Sequence, residues 1–471
     1  MALADHVVDV AVEPATYARV AETHERAGEI SARVPTYGRT TGVGANRAVA
    51  VAEDDALYGV RLLRSHALDT GAPVPRRAVR AMLAVRLAQL CEPGSGLDPA
   101  VLDGLVAMLN ADALPEILSR SAVGTADLAA LAGTALTLMG EREADGPLEP
   151  MPTWGNASAL PFISSSALTI GRACLALDEL ERLLDATLAV FALSFTGLRG
   201  NPSAFCDAAA TASATPGTAE VATLLQRLVP DPGTPARIQD PFGLRAFVVS
   251  HACAGQTVRR LREQLTALVN AAQENPLFVL DGGSGGDVVH HGGFFQAALA
   301  LAADAVTLAV AQSAPLTLSR IRMVNEPDFT GLAPFLTVGP PGSSGLLMVE
   351  YVAAAALADL RQAATPASVG TISISRGSED HASFATQAID HLESCATALR
   401  TLLSCELVGT VRLLRQLPDL ASFDDSDPRA GLSSLTGLLP SDDEDHDLRP
   451  DLAVAANLLD ALALPVAYLT P

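Results

Sequence analysis

The residues able to do chemistry in this 471-residue chain fall into a few clusters. His290 and His291 follow Asp287, and these are metal-ligand types. Adjacent side chains point in different directions, so an ordinary loop is the expectation there. Six cysteines (Cys91, Cys174, Cys206, Cys253, Cys395 and Cys405) are scattered with no CxxC pair. That spacing supports neither a zinc knuckle nor a redox motif, and it predicts free, mostly buried thiols in a reducing compartment. The run Gly282-Gly283-Ser284-Gly285-Gly286 lacks the GxGxxG context and is expected to turn between helices, not to cradle phosphate. Ser441-Asp442-Asp443-Glu444-Asp445-His446-Asp447 is expected to be a solvated loop before a last helix, because a metal site needs converging ligands.

No lysine occurs, so all 31 basic residues are arginine. This removes Schiff-base chemistry and a Walker lysine. A formal net charge of -22 argues against nucleic-acid binding, which needs a basic face.

The elements that must position these groups are mainly α-helical. Aromatics make up 4%, and long Ala/Leu/Arg/Glu stretches carry apolar residues every three or four positions. The clearest run 79–90, 168–193, 244–272, 294–313, 345–363 and 383–417. Several are apolar on more than one side, as central helices of a large bundle are. Pro73-Val74-Pro75, Gly94-Ser95-Gly96 and Gly339-Pro340-Pro341-Gly342 punctuate the joins. No repeat or long linker is visible. The expectation is a single domain, 1–471, with a loop-rich part (1–165), central long helices (166–417) and a C-terminal segment (418–471). The N-terminus lacks a basic, then apolar leader, and the apolar stretch 297–311 is broken by Asp304, so it reads as a buried helix. A cytoplasmic protein with no membrane partner is expected.

A chain-wide resemblance sharpens this. Thr36-Tyr37-Gly38-Arg39-Thr40-Thr41-Gly42-Val43-Gly44 resembles TYGxNTGFG, the tyrosine loop of the histidine/phenylalanine ammonia-lyase family. In order there follow Ser65-His66-Ala67 (SHAxG), Arg199-Gly200-Asn201-Pro202, Gln239-Asp240-Pro241-Phe242-Gly243-Leu244-Arg245 (QDxYSxR), Glu274-Asn275-Pro276-Leu277 (TDNPL), Gly292-Gly293-Phe294-Phe295 (GGNFHG) and Glu379-Asp380-His381 (QEDH). The resemblance implies the family's α-helical fold with a long central bundle. It also implies a homotetramer whose active sites form from loops of several subunits at helix ends.

The family makes an electrophile, methylidene-imidazolone (MIO), from Ala-Ser-Gly. Aligned from Asp127-Leu128-Ala129, that triplet is Gly124-Thr125-Ala126 here. Ring closure needs an amide nitrogen to attack a carbonyl two residues back. Glycine suits that turn, while Ala126 hinders it and Thr125 would leave a more crowded ethylidene. An uncyclised loop, and no MIO, metal or organic cofactor, is therefore the expectation. The family's supporting asparagine falls near Ser164, its tyrosine becomes Phe242, its NFH becomes Gly293-Phe294-Phe295, and the residue before Tyr351 is Glu350.

The resemblance makes Tyr37, His66 and Glu379 the catalytic candidates. Tyr37 would be a base if cationic neighbours lower its pKa from about 10. His66 exchanges protons near neutrality or caps a helix. Glu379 acts as a base, receives a substrate cation or pairs with an arginine. Arg245 clamps a carboxylate or forms a structural ion pair. Gln239, Phe242, Phe294, Ser164 and Tyr351 complete the substrate-binding set. Three readings follow: a MIO-independent elimination, isomerisation or cyclisation of an activated small molecule in specialised metabolism; a non-catalytic pseudoenzyme; and an aromatic amino-acid ammonia-lyase using a Gly-Thr-Ala ring. The first is the leading expectation.

Overall fold

The structure, a computed structural model, describes residues 1–151, 154–229, 233–281, 285–417, 434 and 437–463. Helices dominate it. Six long ones are Arg76–Cys91, Ala167–Gly197, Phe247–Val269, Ala297–Asn325, Leu347–Ala363 and Ala385–Gln416, and a further one, Pro14–Ser31 with 18 residues, lies outside the periodic stretches read from sequence. The sequence periodicity places all six. Two boundaries differ from the pattern. A four-residue turn, Phe242–Arg245, precedes Phe247–Val269, and the helix expected to stop at Ser313 continues through Pro315 to Asn325. Buried Leu318, Ile321, Met323 and Val324 hold that continuation, so packing outweighs the hydrogen bond lost at proline.

Among the described residues, three two-stranded antiparallel pairs join Thr70–Pro73 to Leu118–Arg120, Leu114–Pro115 to Ala144–Asp145, and Leu277–Leu280 to Gly286–Val289. In the last, Leu277 faces Val289 and Leu280 faces Gly286. Gly286 of the glycine run thus begins a strand and does not lead into a helix. The run's Gly282, Gly283 and Ser284 lie outside the described residues, as do 418–433, 435–436 and 464–471 of the C-terminal segment.

The chain divides into two compact units. The first comprises 1–175, 262–301 and 367–389. Its core holds fully buried Leu63, Met82, Leu83, Leu90, Leu102, Leu105 and Phe162, each worth about 1.5–3 kcal/mol on burial. A buried cation runs through it. Arg86 donates from Nε to the Phe162 carbonyl at 2.9 Å, to Pro161 O, and through Nη1 to Gln89 Oε1 at 3.2 Å and Glu274 Oε1 at 2.9 Å. Gln89 in turn donates to Leu268 O and accepts from Ser165 Oγ at 2.6 Å.

The second unit comprises 176–261, 302–366 and 390–471. The Phe191 and Phe247 rings stack with centroids 3.9 Å apart. The Arg320 guanidinium lies 5.2 and 5.3 Å from the same two centroids. It grips both Glu406 carboxylate oxygens, at 2.5 and 2.8 Å. The acidic run precedes the helix Arg449–Ala463 as expected, but Asp445 is tethered: it accepts from Ser344 N and Gly345 N, both at 2.8 Å. All six cysteines are free thiols.

Candidate active site

The loop carrying Gly124-Thr125-Ala126 is fixed from both sides, within the first unit. Ala122, Val123 and Gly124 present three successive carbonyls to the segment that starts the helix Ala385–Gln416. They accept from Gln387 Nε2 at 3.0 Å, Phe384 N at 3.0 Å and Ser383 Oγ at 2.7 Å, respectively. On the other flank Asp127 N donates to Ser165 O at 2.8 Å. The buried Asp127 carboxylate accepts from Thr169 N at 2.8 Å and Thr169 Oγ1 at 2.9 Å. Burial pushes its carboxyl pKa above the usual range, with the Thr169 bonds acting against that.

These anchors force a sharp turn. Gly124 has φ +85° and Ala126 φ +108°. A Cβ on Gly124 would collide with Ser383 Oγ and lie 2.8 Å from Phe384 N, so only glycine fits. Ala126 departs from expectation: a side chain was expected to hinder the turn, yet the alanine adopts it. Such a conformation costs about 1–3 kcal/mol and persists because the surroundings impose it.

Thr125 and Ala126 line a cavity of about 250 Å³. The same cavity takes Tyr37, His66, Glu379, Ser164 and Phe294. Residues more than 300 apart in sequence therefore meet as the motif order anticipates. The tyrosine loop is shaped by Gly38, at φ +74°, where a Cβ would collide with Leu160.

Tyr37 Oη accepts from Gly44 N at 2.7 Å. Burial raises its pKa above 10, the Gly44 bond opposes this, and nearby Glu379 raises it further. A lowered pKa was expected from cationic neighbours, but Arg47 is too weak an influence to produce one. Tyr37 therefore stands as a neutral phenol near pH 7.

His66 ends the helix Tyr58–His66 with Nδ1 2.8 Å from the Leu62 carbonyl. A carbonyl only accepts, so Nδ1 carries the proton and Nε2 is the basic nitrogen. The capping and catalytic roles are thus compatible. Glu379 joins no ion pair among the described residues, so the arginine salt bridge is not formed.

Asn275, Asn46 and Ser375 also line the cavity. Asn275 N donates to Ser164 Oγ at 3.2 Å, and Asn275 Oδ1 accepts from His291 N at 2.9 Å. The Glu-Asn-Pro-Leu match was the available signal for Asn275. His290 and His291 occupy a loop: His290 Nε2 accepts from Tyr37 N at 3.4 Å, and His291 Nε2 lies 2.6 Å from Glu274 O.

The remaining candidates belong to the second unit. Gln239, Phe242 and Arg245 line a cavity of about 360 Å³ there. Phe242 is 62% exposed, and the Arg245 guanidinium lies 4.2 Å from its ring centroid. Arg245 makes no ion pair among the described residues, so it keeps an exposed cation. Tyr351, on Leu347–Ala363, is 63% exposed.

Comparison with known proteins gives the class. The family model for aromatic amino acid lyases matches residues 1–422, and the chain belongs to that family. It is 30% identical over 483 residues to the histidine ammonia-lyase of Stigmatella aurantiaca, covering 98% of this chain and 93% of that protein. It is 29% identical over 476 residues to that of Rhodospirillum rubrum, covering 95% and 91%. The fold matches the crystal structure of histidine ammonia-lyase from Trypanosoma cruzi (TM-score 0.89, 22% identity, 100% and 93% covered). It also matches ergothionase from Treponema denticola (TM-score 0.87, 23% identity, 98% and 96% covered).

These relatives overturn the leading expectation from sequence. Near full-length identity of about 30% to histidine ammonia-lyases points to an ammonia-lyase, not to a MIO-independent cyclase or a pseudoenzyme. The substitutions at Ser164, Phe242 and Phe294 are single changes within a match that runs over residues 1–422.

Proposed function

We propose that the protein is an ammonia-lyase for an amino acid with an aromatic side chain. It would release ammonia and leave the α,β-unsaturated acid. The observation that carries this is the single cavity bringing Tyr37, His66 and Glu379 onto Thr125 and Ala126. The relatives named histidine ammonia-lyase support the same reaction class.

The turn at Gly124-Thr125-Ala126 would hold the family's prosthetic group: Thr125 offers the central hydroxyl, and Gly124 and Ala126 both hold positive φ in a sharp turn. There the group supplies an electrophile that makes ammonia a better leaving group. The chain's own residues do the rest. Glu379, unpaired and acidic, receives the substrate ammonium. His66 Nε2 accepts the β-proton, and the neutral Tyr37 phenol holds a proton at the cavity wall. Phe294, Leu160 and Val43 give the side-chain end an apolar lining, suited to a phenyl or phenol ring.

The substrate carboxylate falls to Arg245, backed by Gln239, Phe242 and Tyr351 and supplied by another copy in a homotetramer. Exposed apolar surface supports such assembly. Ile238 is 96% exposed, and only 44% of an apolar 18-residue stretch within the helix Ala297–Asn325 is buried, less than the buried helix expected there. A large exposed apolar surface marks an interaction site. Free thiols agree with a reducing, cytoplasmic setting.

The test is ammonia release from L-phenylalanine, L-tyrosine and L-histidine, with Tyr37→Phe as control. Release from one of them, reduced at least 100-fold in the control, is expected. No release from any would reject the reading.

A further inference from the structure

We infer that Ser375 is a positioning residue: its hydroxyl pins the tip of the tyrosine loop and, through the Gly44 amide, sets the place of the Tyr37 phenol beside Glu379. This role rests on the ammonia-lyase reading only for its effect on turnover.

The loop that carries Tyr37 folds back onto its own phenol. Tyr37 Oη accepts from Gly44 N at 2.7 Å. That bond uses a lone pair of the oxygen and leaves the phenol proton to the cavity. The donor sits at the freest backbone of the loop, because Gly44 is a glycine at φ +55°. Left untied, its peptide would swing and the phenol would lose its partner. The next amide supplies the tie. Ala45 N donates to Ser375 Oγ at 3.1 Å, across 330 positions of sequence. Two successive N–H groups are thus spent on Tyr37 and on Ser375. The approach is close: a Cβ on Gly44 would stand 2.7 Å from Ser375 Oγ, so a glycine here lets the hydroxyl reach the loop.

The backbone that brings Ser375 to this place is strained. Ser375, Arg376 and Gly377 have φ +52°, +54° and +78°, three left-handed residues in succession. Only glycine takes that region without cost. Strain of this kind persists where the surroundings over-determine it, and it gathers at functional sites. The turn is closed by Ile374 N to Glu379 O at 2.8 Å and Gly377 N to Ile374 O at 3.0 Å. One turn therefore holds the serine that ties the tyrosine loop and, at its end, Glu379. Ser375 and Glu379 line the same cavity as Tyr37, Gly44 and Ala45. Glu379 is near enough to Tyr37 for its charge to disfavour the phenolate.

The Ser375 bond leaves its own turn for the opposite loop, so its loss acts on the loop that bears Tyr37. A misplacement of about 1 Å in a reacting group costs on the order of 100-fold in rate. Loosening by one hydrogen bond should cost less, on the order of 10-fold.

The experiment is amide hydrogen exchange read by mass spectrometry at single amides, joined to steady-state kinetics, on wild type, Ser375→Ala and Ser375→Gly. Glycine accepts φ +52° freely, so Ser375→Gly removes the hydroxyl without misfolding. In both variants the Gly44 and Ala45 amides should exchange at least about 10-fold faster, with the helices Arg76–Cys91 and Ala385–Gln416 unchanged. The kcat for ammonia release should fall on the order of 10-fold with KM nearly unchanged. In a Tyr37→Phe background, Ser375→Ala should lower kcat no further, because the role runs through the phenol. Wild-type exchange at Gly44 in both variants overturns the tie. A full additional loss of kcat in the Tyr37→Phe background overturns the link to Tyr37. Turnover in wild type without an exchange response would sink the role of Ser375 and leave the lyase reading. An exchange response in a protein that releases no ammonia would do the reverse.

Discussion

Replacing Glu274 by alanine tests the buried ion pair next to Asn275, a residue of the cavity lining. Arg86 and Glu274 are both fully buried, with Arg86 Nη1 2.9 Å from Glu274 Oε1. Burial raises the Glu274 pKa and lowers that of Arg86, and their mutual attraction opposes both shifts. Desolvation is therefore the larger influence, and the pair persists because each charge has the other. Glu274→Ala strands the Arg86 cation, which keeps only neutral acceptors at Phe162 O, Pro161 O and Gln89 Oε1. Breaking a buried pair from one side costs about 3–5 kcal/mol. Glu274→Gln keeps an acceptor and should cost less. The double variant Arg86→Met with Glu274→Leu should recover most of the loss.

Chemical denaturation of the four proteins gives the values. The next residue, Asn275, lines the cavity and is bonded to Ser164 Oγ, so turnover should fall in Glu274→Ala beyond its unfolded fraction. A Glu274→Ala change within about 0.5 kcal/mol, the range of ordinary surface substitutions, would refute the reasoning.

Tyr37→Phe removes the phenol that accepts from Gly44 N and should cut kcat at least 100-fold, measured by ammonia release. Because burial holds the Tyr37 pKa above 10, no rise in activity between pH 7 and about 9 should trace to its ionisation; a rise absent in Tyr37→Phe would contradict this. Arg245→Ala should raise KM for an amino acid far more than for its amide, since only the former offers a carboxylate to a guanidinium. His446 has a raised pKa through its bond to Glu444 O and then to Asp451. Its contribution to stability is complete below the unfolded value of about 6.5 and is lost as pH rises through the folded value. Thermal unfolding of wild type against His446→Gln should show a gap at pH 6 that narrows by pH 8.

Motif order anticipated which residues would meet in the cavity of the first unit, while Arg245, Gln239, Phe242 and Tyr351 lie in the second unit. Tyr37, His66, Ser164, Phe294, Glu379 and Thr125 meet in one cavity because their motifs sit at helix ends and loops that the fold gathers. Periodicity found six of the long helices, since burying an apolar face leaves a 3.6-residue signature; Pro14–Ser31 buries only Val20, Thr23, Ala27 and Ile30 and left too weak a one. Other features left no such trace. The raised pKa of Tyr37 arises from burial, which sequence does not show. Ala126 at φ +108° reflects tertiary anchors at Asp127, Thr169 and Ser383, against its local preference. The hairpin around Gly285 was hidden because its strands, Leu277–Leu280 and Gly286–Val289, are four residues each. The reaction is not legible in individual substitutions, which say less than a match along the whole chain.

The central claim, elimination of ammonia from an aromatic amino acid, is tested most directly by incubating the protein with L-phenylalanine, L-tyrosine and L-histidine and quantifying both products. The account predicts equimolar ammonia and α,β-unsaturated acid from one of them, favouring the phenyl or phenol side chain over imidazole because Phe294, Leu160 and Val43 line the cavity. Absence of both products from all three, with the protein folded, would contradict it.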